Sequence, residues 1–241
     1  MTARRTAVVI GVGPGLGMSV AHRWGREGYD VALVSRTGSR HGEYIASLAE
    51  VGVKAASFPA DVRDRGELLS ALDAIVERFG RIDLAYYGPG AMDPDAWPTP
   101  IDRADSDSVR DAMGWVYPAV DVVGRVLPGM VERGSGGLLF ATGLSAVVPM
   151  PALGNLAISS AALRNYALTL NAALAEQGVY AGALVIGGAV ERGDIHRMLA
   201  SQPEQFGDLA GKTLDPDEIA ETAWSMHTAR DRSEAVFNAL G

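Results

Sequence analysis

The sequence predicts one α/β domain with a doubly wound, mostly parallel, seven-stranded sheet and helices on both faces. Seven short apolar runs alternate with segments in which apolar residues recur at helical spacing, and this order is typical of a parallel sheet covered on both sides. The chain of 241 residues is long enough for one large core. Its 48% apolar residues and 29 glycines suit one domain with many tight turns, so residues 1–241 are expected to fold as a single unit.

Each element follows from local spacing. Strands are predicted where short apolar runs are bounded by turn residues, at 7–10, 31–35, 55–60, 84–87, 137–142, 181–186 and 235–237. Helices are predicted where apolar residues recur every three or four positions, at 16–27, 44–51, 65–79, 105–133, 155–176 and 217–228. Pro118 is expected to disturb the long 105–133 helix, because proline has no amide hydrogen. A proline-rich loop is predicted at 93–100, and a loose, partly helical excursion at 189–214.

Composition argues against several classes of function. The chain has no cysteine and its four histidines are scattered, so neither a disulfide framework nor a metal site is expected. A net charge of −8 without a basic stripe argues against nucleic acid as a partner. No apolar run approaches the roughly 20 residues of a membrane span, and no signal-peptide core precedes the first strand. We therefore expect a cytoplasmic protein with no membrane partner.

A glycine-rich turn separates the first predicted strand from the first helix. In this setting the first glycine permits a tight exit from the strand, and the later ones let a pyrophosphate approach the backbone at the helix N-terminus. A purely structural turn is the alternative. The turn predicts a nucleotide site that includes Gly11, Gly13, Gly15, Leu16 and Gly17.

The end of the second strand indicates which nucleotide is bound. Sites that prefer NAD carry an acid there for the ribose hydroxyls, whereas this chain has Ser35 followed by Arg36. Arg36 can pair with a 2′-phosphate, with help from Arg40, which favours NADP(H) over NAD(H). An ordinary surface arginine is the alternative. Asp61 and Val62 follow the third strand, where a carboxylate could accept from the adenine amino group or cap the next helix.

These features resemble the short-chain dehydrogenase/reductase (SDR) family over residues 6–237, nearly the whole chain. The resemblance rests on the order and spacing of several motifs. They are the glycine turn, Asp61-Val62, Gly80-Arg81-Ile82-Asp83, Leu127-Pro128-Gly129-Met130, Gly134-Ser135-Gly136 and Asp217-Glu218-Ile219-Ala220.

The resemblance implies a single NAD(P)-binding Rossmann domain. It adds nucleotide contacts from Gly88 and Pro89 after the fourth strand and from Gly187 after the sixth. It also implies that the 189–214 excursion covers a small-molecule substrate. The helices at 105–133 and 155–176 would form a homodimer or homotetramer.

The resemblance also exposes a departure at the implied catalytic positions. Family chemistry uses an asparagine, a serine, a tyrosine that moves the proton and a lysine that lowers the tyrosine pKa. Without gaps, these four fall on Trp115, Gly143, Leu156 and Ser160, and a shift of one residue gives Asn155 and Ser159 for the last two. The chain has no lysine between Lys54 and Lys212, so neither register restores the pair.

Several polar side chains remain as catalytic candidates. The hydroxyls of Thr142, Ser145 and Ser159 and the amide of Asn155 can hold an oxyanion but are poor acids at neutral pH. His196 has the right pKa range for an acid, with a solvated histidine as the alternative. Tyr87 is expected near the nicotinamide, where it could act as an acid or form a wall, and we favour the wall. A further set could line an apolar pocket or belong to the core: Trp97, Trp115, Met150 and Met198.

Three hypotheses follow. The first is an NADP(H)-dependent oxidoreductase that acts on a small carbonyl or enone with a non-standard proton relay. The second is a non-redox biosynthetic enzyme on the same scaffold, such as a cyclase, dehydratase or isomerase. The third is a catalytically silent NADP-binding subunit. Fold alone does not separate them.

Overall fold

The computed structural model describes residues 4–89, 98–202, 204 and 207–241. Seven strands form one sheet in the order β3-β2-β1-β4-β5-β6-β9, and every neighbouring pair is parallel. Two short strands, β7 and β8, pair with each other outside this sheet. The predicted seven-stranded Rossmann-like sheet is confirmed.

The strand bounds lie within a few residues of those expected from the sequence. The strands are β1 Thr6–Ile10, β2 Asp30–Val34, β3 Ala55–Ser57, β4 Leu84–Tyr87, β5 Gly136–Gly143, β6 Val179–Gly187, β7 Ala189–Val190, β8 Thr213–Leu214 and β9 Glu234–Asn238. The helices are α1 Leu16–Arg26, α2 His41–Glu50, α3 Arg65–Phe79, α4 Ser106–Met113, α5 Tyr117–Glu132, α6 Gly154–Leu174, α7 Asp194–Ser201 and α8 Pro216–Ala229.

The prediction of one helix over 105–133 was wrong. The segment forms α4, which ends at Met113, and α5, which begins at Tyr117. Pro118 stands in the first turn of α5, where its missing amide hydrogen costs no helical bond. The interruption spans 114–116, just before Pro118, which is where the sequence predicted a disturbance.

Alternation along the strands divides the core between the two faces of the sheet. Val8 and Ile10 belong to one buried cluster, together with residues of α3, α5 and α6. Ala7 and Val9 belong to the other, together with residues of α1 and α8. Both faces are therefore covered, as the near-continuous apolar strands require.

The strand order reverses between β1 and β4, which creates the crevice that positions the site. The chain runs outward from β1 to β3, then returns to the other side of β1 to form β4. Helices on opposite faces leave a gap at the carboxyl ends of these two strands, and ligands bind there in open α/β sheets. The glycine turn after β1 and Gly88-Pro89 after β4 both lie at this point. In the described ranges, no helix has the length and apolarity to cross a bilayer.

A mostly buried histidine on α8 should make stability depend on pH. His227 packs against the rings of Trp24, Trp224 and Tyr180, at centroid distances of 6.0, 6.0 and 6.1 Å. Burial lowers its pKa to about 4, whereas the unfolded chain has a histidine pKa near 6.5. Its stabilising contribution is therefore complete above pH 6.5 and is lost as the pH falls towards 4.

We expect wild type to lose about 2–3 kcal/mol more unfolding free energy than His227→Phe between pH 7.5 and pH 4.5. Denaturant unfolding at the two pH values measures this difference. His196→Asn, which changes a half-buried histidine of α7, should behave as wild type. Equal pH dependence in wild type and His227→Phe would contradict the expectation.

Candidate functional site

A cavity of about 820 Å³ lies at the carboxyl ends of the central strands. One end is formed by the glycine turn and the residues after β2. The other end is formed by the last residues of β5 and the start of α6. Residues 190–195 of the excursion lie across the same space. Its lining includes Gly13, Ser35, Arg36, Gly88, Thr142, Ser160 and Asp194.

Two glycines of the turn are required by close packing, and a third leaves open space. Gly11 has φ +84°, and a Cβ on it would lie 2.5 Å from the backbone nitrogen of Pro89. A Cβ on Gly17 would lie 2.9 Å from the Cα of Val12, so this glycine permits close packing of helix and strand. A Cβ on Gly13 would meet nothing within 4 Å, although the residue lines the cavity. The turn therefore presents bare backbone to the cavity.

The N-terminus of α1 is suited to an anion. In the part of the chain that the structure describes, no side chain caps the first turn at Gly15, and that turn carries no acidic residue. Backbone amides and the helix dipole therefore face the cavity without a competing carboxylate. Leu16 and Gly17 also line the cavity. All the glycine-turn residues predicted from the sequence thus line the cavity.

The residues after β2 form the rim of the same end. Ser35, Arg36 and Arg40 line the cavity. The Ser35 hydroxyl donates to the Thr37 carbonyl at 2.9 Å. Arg40 contacts both carboxylate oxygens of Asp194, at 3.0 and 2.8 Å, and so joins this rim to α7. Positive charge therefore stands where a 2′-phosphate is expected.

Asp61 and Val62, which come after β3, differ in their relation to the cavity. Val62 lines the cavity, but the Asp61 carboxylate accepts from the Arg63 amide at 2.9 Å and turns back on its own loop. The alternative role also falls elsewhere, because Asp64 caps α3 by accepting from the Glu67 amide at 3.0 Å. The helix-cap role considered for Asp61 therefore belongs to Asp64, and the adenine contact of Asp61 stays a prediction.

Tyr86, not Tyr87, lines the cavity. The two side chains point to opposite faces of β4, and the Tyr87 hydroxyl donates to the Trp115 carbonyl at 2.7 Å behind the site. A Cβ on Gly88 would lie 2.3 Å from the Tyr86 hydroxyl, so only glycine fits between that tyrosine and the cavity. Burial raises the pKa of both tyrosines well above the usual value, which makes them weak acids. The expectation that Tyr87 forms a wall was wrong.

Of the two glycines at the end of β6, the second lines the cavity and the first does not. Gly187 is predicted to contact the nucleotide, but a Cβ on it would lie 2.4 Å from the Leu144 side chain, so it packs against the protein. Its neighbour Gly188 lines the cavity, as does Pro89 on the opposite side. The sequence therefore predicted Gly187, whereas the residue that lines the cavity is the next one, Gly188.

The excursion is fixed over the glycine turn. A Cβ on Gly15 would lie 3.0 Å from the Glu191 carbonyl, so backbone packs on backbone here. Arg192 reaches the Ser19 hydroxyl at 3.1 Å and the Asp217 carboxylate at 2.8 Å, which joins the excursion to α1 and α8. Together with the Arg40–Asp194 pair, these contacts place residues 190–195 as a cover.

Three hydroxyl-bearing residues line the far end of the cavity. Thr142 donates to the Ser160 carbonyl at 3.0 Å, and Ser159 donates to the Leu156 carbonyl at 3.1 Å. A Cβ on Gly143 would lie 3.2 Å from the Ser160 hydroxyl, which therefore stands beside the end of β5. The hydrogens of the Thr142 and Ser159 hydroxyls are therefore donated to backbone carbonyls, and the Ser160 hydroxyl is the group placed to meet a substrate oxygen.

The sequence profile of the short chain dehydrogenase family matches residues 5–198 of the chain. The chain belongs to this family. At 25% identity over 227 residues it is similar to the oxidoreductase UxuB of Bacillus subtilis, covering 88% of this chain and 80% of that protein. At 25% identity over 231 residues it is similar to an A-factor type gamma-butyrolactone 1'-reductase (1S-forming) of Streptomyces virginiae, covering 91% and 86%.

The fold of this SDR chain matches that of L-sorbose reductase from Gluconobacter frateurii, solved in complex with NADPH and L-sorbose. The TM-score is 0.85 at 21% identity, covering 98% of this chain and 95% of the other. SDR proteins bind nicotinamide cofactors, which agrees with a nucleotide cradle at the glycine turn.

The other catalytic candidates are not among the described residues that line the SDR cavity. The Ser145 hydroxyl is next to it, because a Cβ on the lining residue Gly143 would lie 3.4 Å from that hydroxyl. Asn155 is buried; its amide oxygen accepts from the Thr99 amide at 2.8 Å, and its nitrogen donates to the Ser108 carbonyl at 3.1 Å. These bonds join α6 to the neighbouring loop and α4, so the geometry favours a structural role. Ser145 and His196 are half-buried and are not among the described lining residues.

The apolar candidates also divide. Trp115 lines the cavity, whereas Met150 and Met198, both described, do not. Trp97 lies outside the described residues. Within the described ranges, no group of three or more histidine, aspartate or glutamate side chains is placed to hold a metal ion.

Proposed function

We propose that this SDR chain binds NADP(H) and acts as an oxidoreductase on a small carbonyl or enone, with a proton relay that differs from the family's usual one. The observation that supports this most is the continuity of one cavity. It runs from the glycine turn and the Ser35–Arg36 rim to the hydroxyls of Thr142, Ser159 and Ser160. A bound NADPH would supply a hydride at the second end.

The nucleotide end fits NADP(H) in three respects. Gly13 leaves open space in the cavity, the first turn of α1 presents its dipole, and Arg36 lines the rim without an acid at Ser35. Guanidinium groups recognise phosphate through paired, charge-assisted hydrogen bonds. These groups would hold the pyrophosphate and the 2′-phosphate.

The catalytic end supports a changed relay. Leu156 and Ser160 both line the cavity one helical turn apart, whereas Asn155 lies outside its described lining. This geometry favours the gap-free register, with leucine and serine where the family has tyrosine and lysine. The Ser160 hydroxyl would orient the substrate oxygen, and water would supply the proton, which suits an enone or an activated carbonyl.

A turnover assay tests this function. Oxidation of NADPH is followed by its absorbance with a panel of small ketones, aldehydes and enones. Sustained turnover with any of them supports an oxidoreductase. Tight NADPH binding without turnover across the panel would contradict it. That result would favour a non-redox enzyme or a silent NADP-binding subunit, and the absence of the family's usual acid is compatible with either.

Arg36→Ala should remove the preference for NADP(H). Because a hydrogen bond to a charged group contributes about 1.5–3 kcal/mol, we expect NADPH to bind about 10- to 100-fold more weakly and NADH to be unaffected. Fluorescence titration with both cofactors measures the change. Arg65→Ala removes an exposed arginine that pairs with Asp121, both outside the described lining of the cavity, and serves as the control. An equal loss for both cofactors would contradict the assignment.

We also propose a homodimer or homotetramer assembled through the α4–α5 segment and α6. Exposed apolar side chains lie on both elements, with Tyr117 at 55%, Val120 at 46% and Ile158 at 41% exposure. Tyr117→Glu combined with Val120→Glu should shift sedimentation towards the monomer. Val51→Glu, at a similarly exposed residue following α2, is the control. An unchanged sedimentation profile in the double variant would exclude this interface.

A further inference from the structure

A buried histidine lies directly beneath the Ser35–Arg36 rim. His41 begins α2 and is only 2% exposed. Its Nε2 lies 2.8 Å from the Ser35 hydroxyl, and its Nδ1 lies 2.5 Å from the Ser57 hydroxyl. Ser35 immediately follows β2 and Ser57 ends β3. The imidazole therefore connects two serines at the carboxyl ends of neighbouring strands.

The direction of these hydrogen bonds follows from one further contact. The Ser35 hydroxyl donates its hydrogen to the Thr37 carbonyl at 2.9 Å, so it can only accept from His41. Nε2 therefore carries the hydrogen of the neutral ring, and Nδ1 accepts from Ser57. The bonds run in one direction from Ser57 through His41 and Ser35 to the Thr37 carbonyl.

This chain of bonds connects solvent with the cofactor cavity. Ser57 is exposed, and Ser35 lines the cavity. Burial lowers the pKa of His41, so the ring is neutral near pH 7 without an anion beside it. The titratable side chains around it are Arg36 and Arg40 on the same loop and Tyr44 on α2, whose ring centroid is 6.4 Å away. The Arg40 charge is directed at the Asp194 carboxylate.

We propose that His41 is a positioning residue for the 2′-phosphate of NADP(H), and that it takes up a proton when this phosphate binds. The inference rests on the proposed function, because it requires NADP(H) at the rim. With both ring nitrogens protonated, Nε2 still donates to Ser35. The Ser35 hydrogen then rotates from the Thr37 carbonyl to a phosphate oxygen. Ser57 turns to accept from Nδ1, and the proton comes from bulk water at exposed Ser57.

The proposal separates the two cofactors by their coupling to pH. NADH has no 2′-phosphate and should leave His41 neutral. For each unit by which NADPH binding raises the pKa of His41, NADPH affinity gains about tenfold at low pH relative to high pH. The phosphate itself, with a pKa near 6, releases protons when it binds beside arginine, which is the opposite sign.

Calorimetric titration in two buffers of different ionisation enthalpy at pH 7.5 measures the protons exchanged. We expect wild type to take up on the order of half a proton per NADPH and none per NADH. His41→Leu should still bind NADPH but lose this uptake. His22→Asn is the matched control, since His22 contacts the Ser47 hydroxyl at 3.0 Å and lines a separate cavity. It should keep the uptake of wild type.

The outcomes are distinct. Proton uptake that His41→Leu abolishes, while circular dichroism shows a folded chain, supports the proposal. NADPH binding without uptake, or with uptake unchanged in His41→Leu, overturns it. If His41→Leu does not fold, Ser35→Ala keeps the ring and removes its link to the cavity, so undiminished uptake in that variant overturns the proposal. Absence of NADPH binding by wild type overturns the proposed function as well.

Discussion

Replacing Leu156 with tyrosine and Ser160 with lysine together is expected to raise NADPH-dependent reduction of a simple ketone about 10²–10⁴-fold, the usual contribution of a positioned acid. Both residues line the cavity and stand one turn apart on α6, which is the spacing of neighbouring side chains on one helix face. The lysine would lower the tyrosine pKa, and the tyrosine would donate the proton that the hydroxyls of Thr142 and Ser159 cannot supply at neutral pH.

Single-turnover and steady-state rates of NADPH oxidation measure the gain. Leu156→Phe combined with Ser160→Met is the matched control, because it adds similar volume without an acid or a charge. It should leave the rate at the wild-type level. A wild-type rate that already equals that of the tyrosine–lysine variant would mean that the cavity contains an efficient proton donor, and would contradict the proposed change of relay.

Gly13→Val is expected to weaken NADPH binding about 100-fold or more, because the new side chain occupies the space required by the pyrophosphate. A Cβ at Gly13 meets no protein atom within 4 Å, so the fold should persist. Gly42→Val is the control, since Gly42 has the same open surroundings on the exposed side of α2, outside the described lining.

Fluorescence titration gives the two affinities, and thermal unfolding shows whether each variant is folded. Both variants should unfold within a few degrees of wild type. If Gly13→Val stays folded and binds NADPH as wild type does, the glycine turn is not the pyrophosphate site.

Local patterns carried most of what the sequence predicted correctly. The seven strands and the glycine turn depend on contiguous residues, and the structure places the turn at the switch between β1 and β4. Ser35 and Arg36 also lie at the rim, because the residue that ends a parallel strand necessarily faces this edge of the sheet. Periodicity and turn chemistry therefore sufficed for the nucleotide end.

The errors share a different cause. Choosing between Tyr86 and Tyr87 requires the register of β4 against β1, in which Val9 pairs with Tyr86 and Ile10 pairs with Tyr87. A one-residue error moves a side chain to the other side of a sheet. Asn155 was a candidate because of its residue type. Its hydrogen-bond partners Thr99 and Ser108 lie 56 and 47 positions away in the sequence, so these contacts could not be predicted from local patterns.

The Arg40–Asp194 pair and the setting of His41 were not predicted from the sequence. The first joins residues 154 positions apart, and the second depends on the Ser57 hydroxyl of a neighbouring strand. His41 was indicated locally by one feature. It is a polar residue at the start of α2, at a position where the spacing of the buried Tyr44 and Leu48 would place an apolar side chain. Long-range polar contacts of this kind are set by the packing of complete elements.

Titration of the wild-type chain with NADPH and NADH, followed by cofactor fluorescence, tests most directly whether the cavity is an NADP(H) site. We predict saturable binding of one NADPH per chain, at least about tenfold tighter than NADH, because Arg36 lines the cavity and would pair with a phosphate that NADH lacks. No saturable binding of either cofactor, or NADH bound at least as tightly as NADPH, would contradict this assignment.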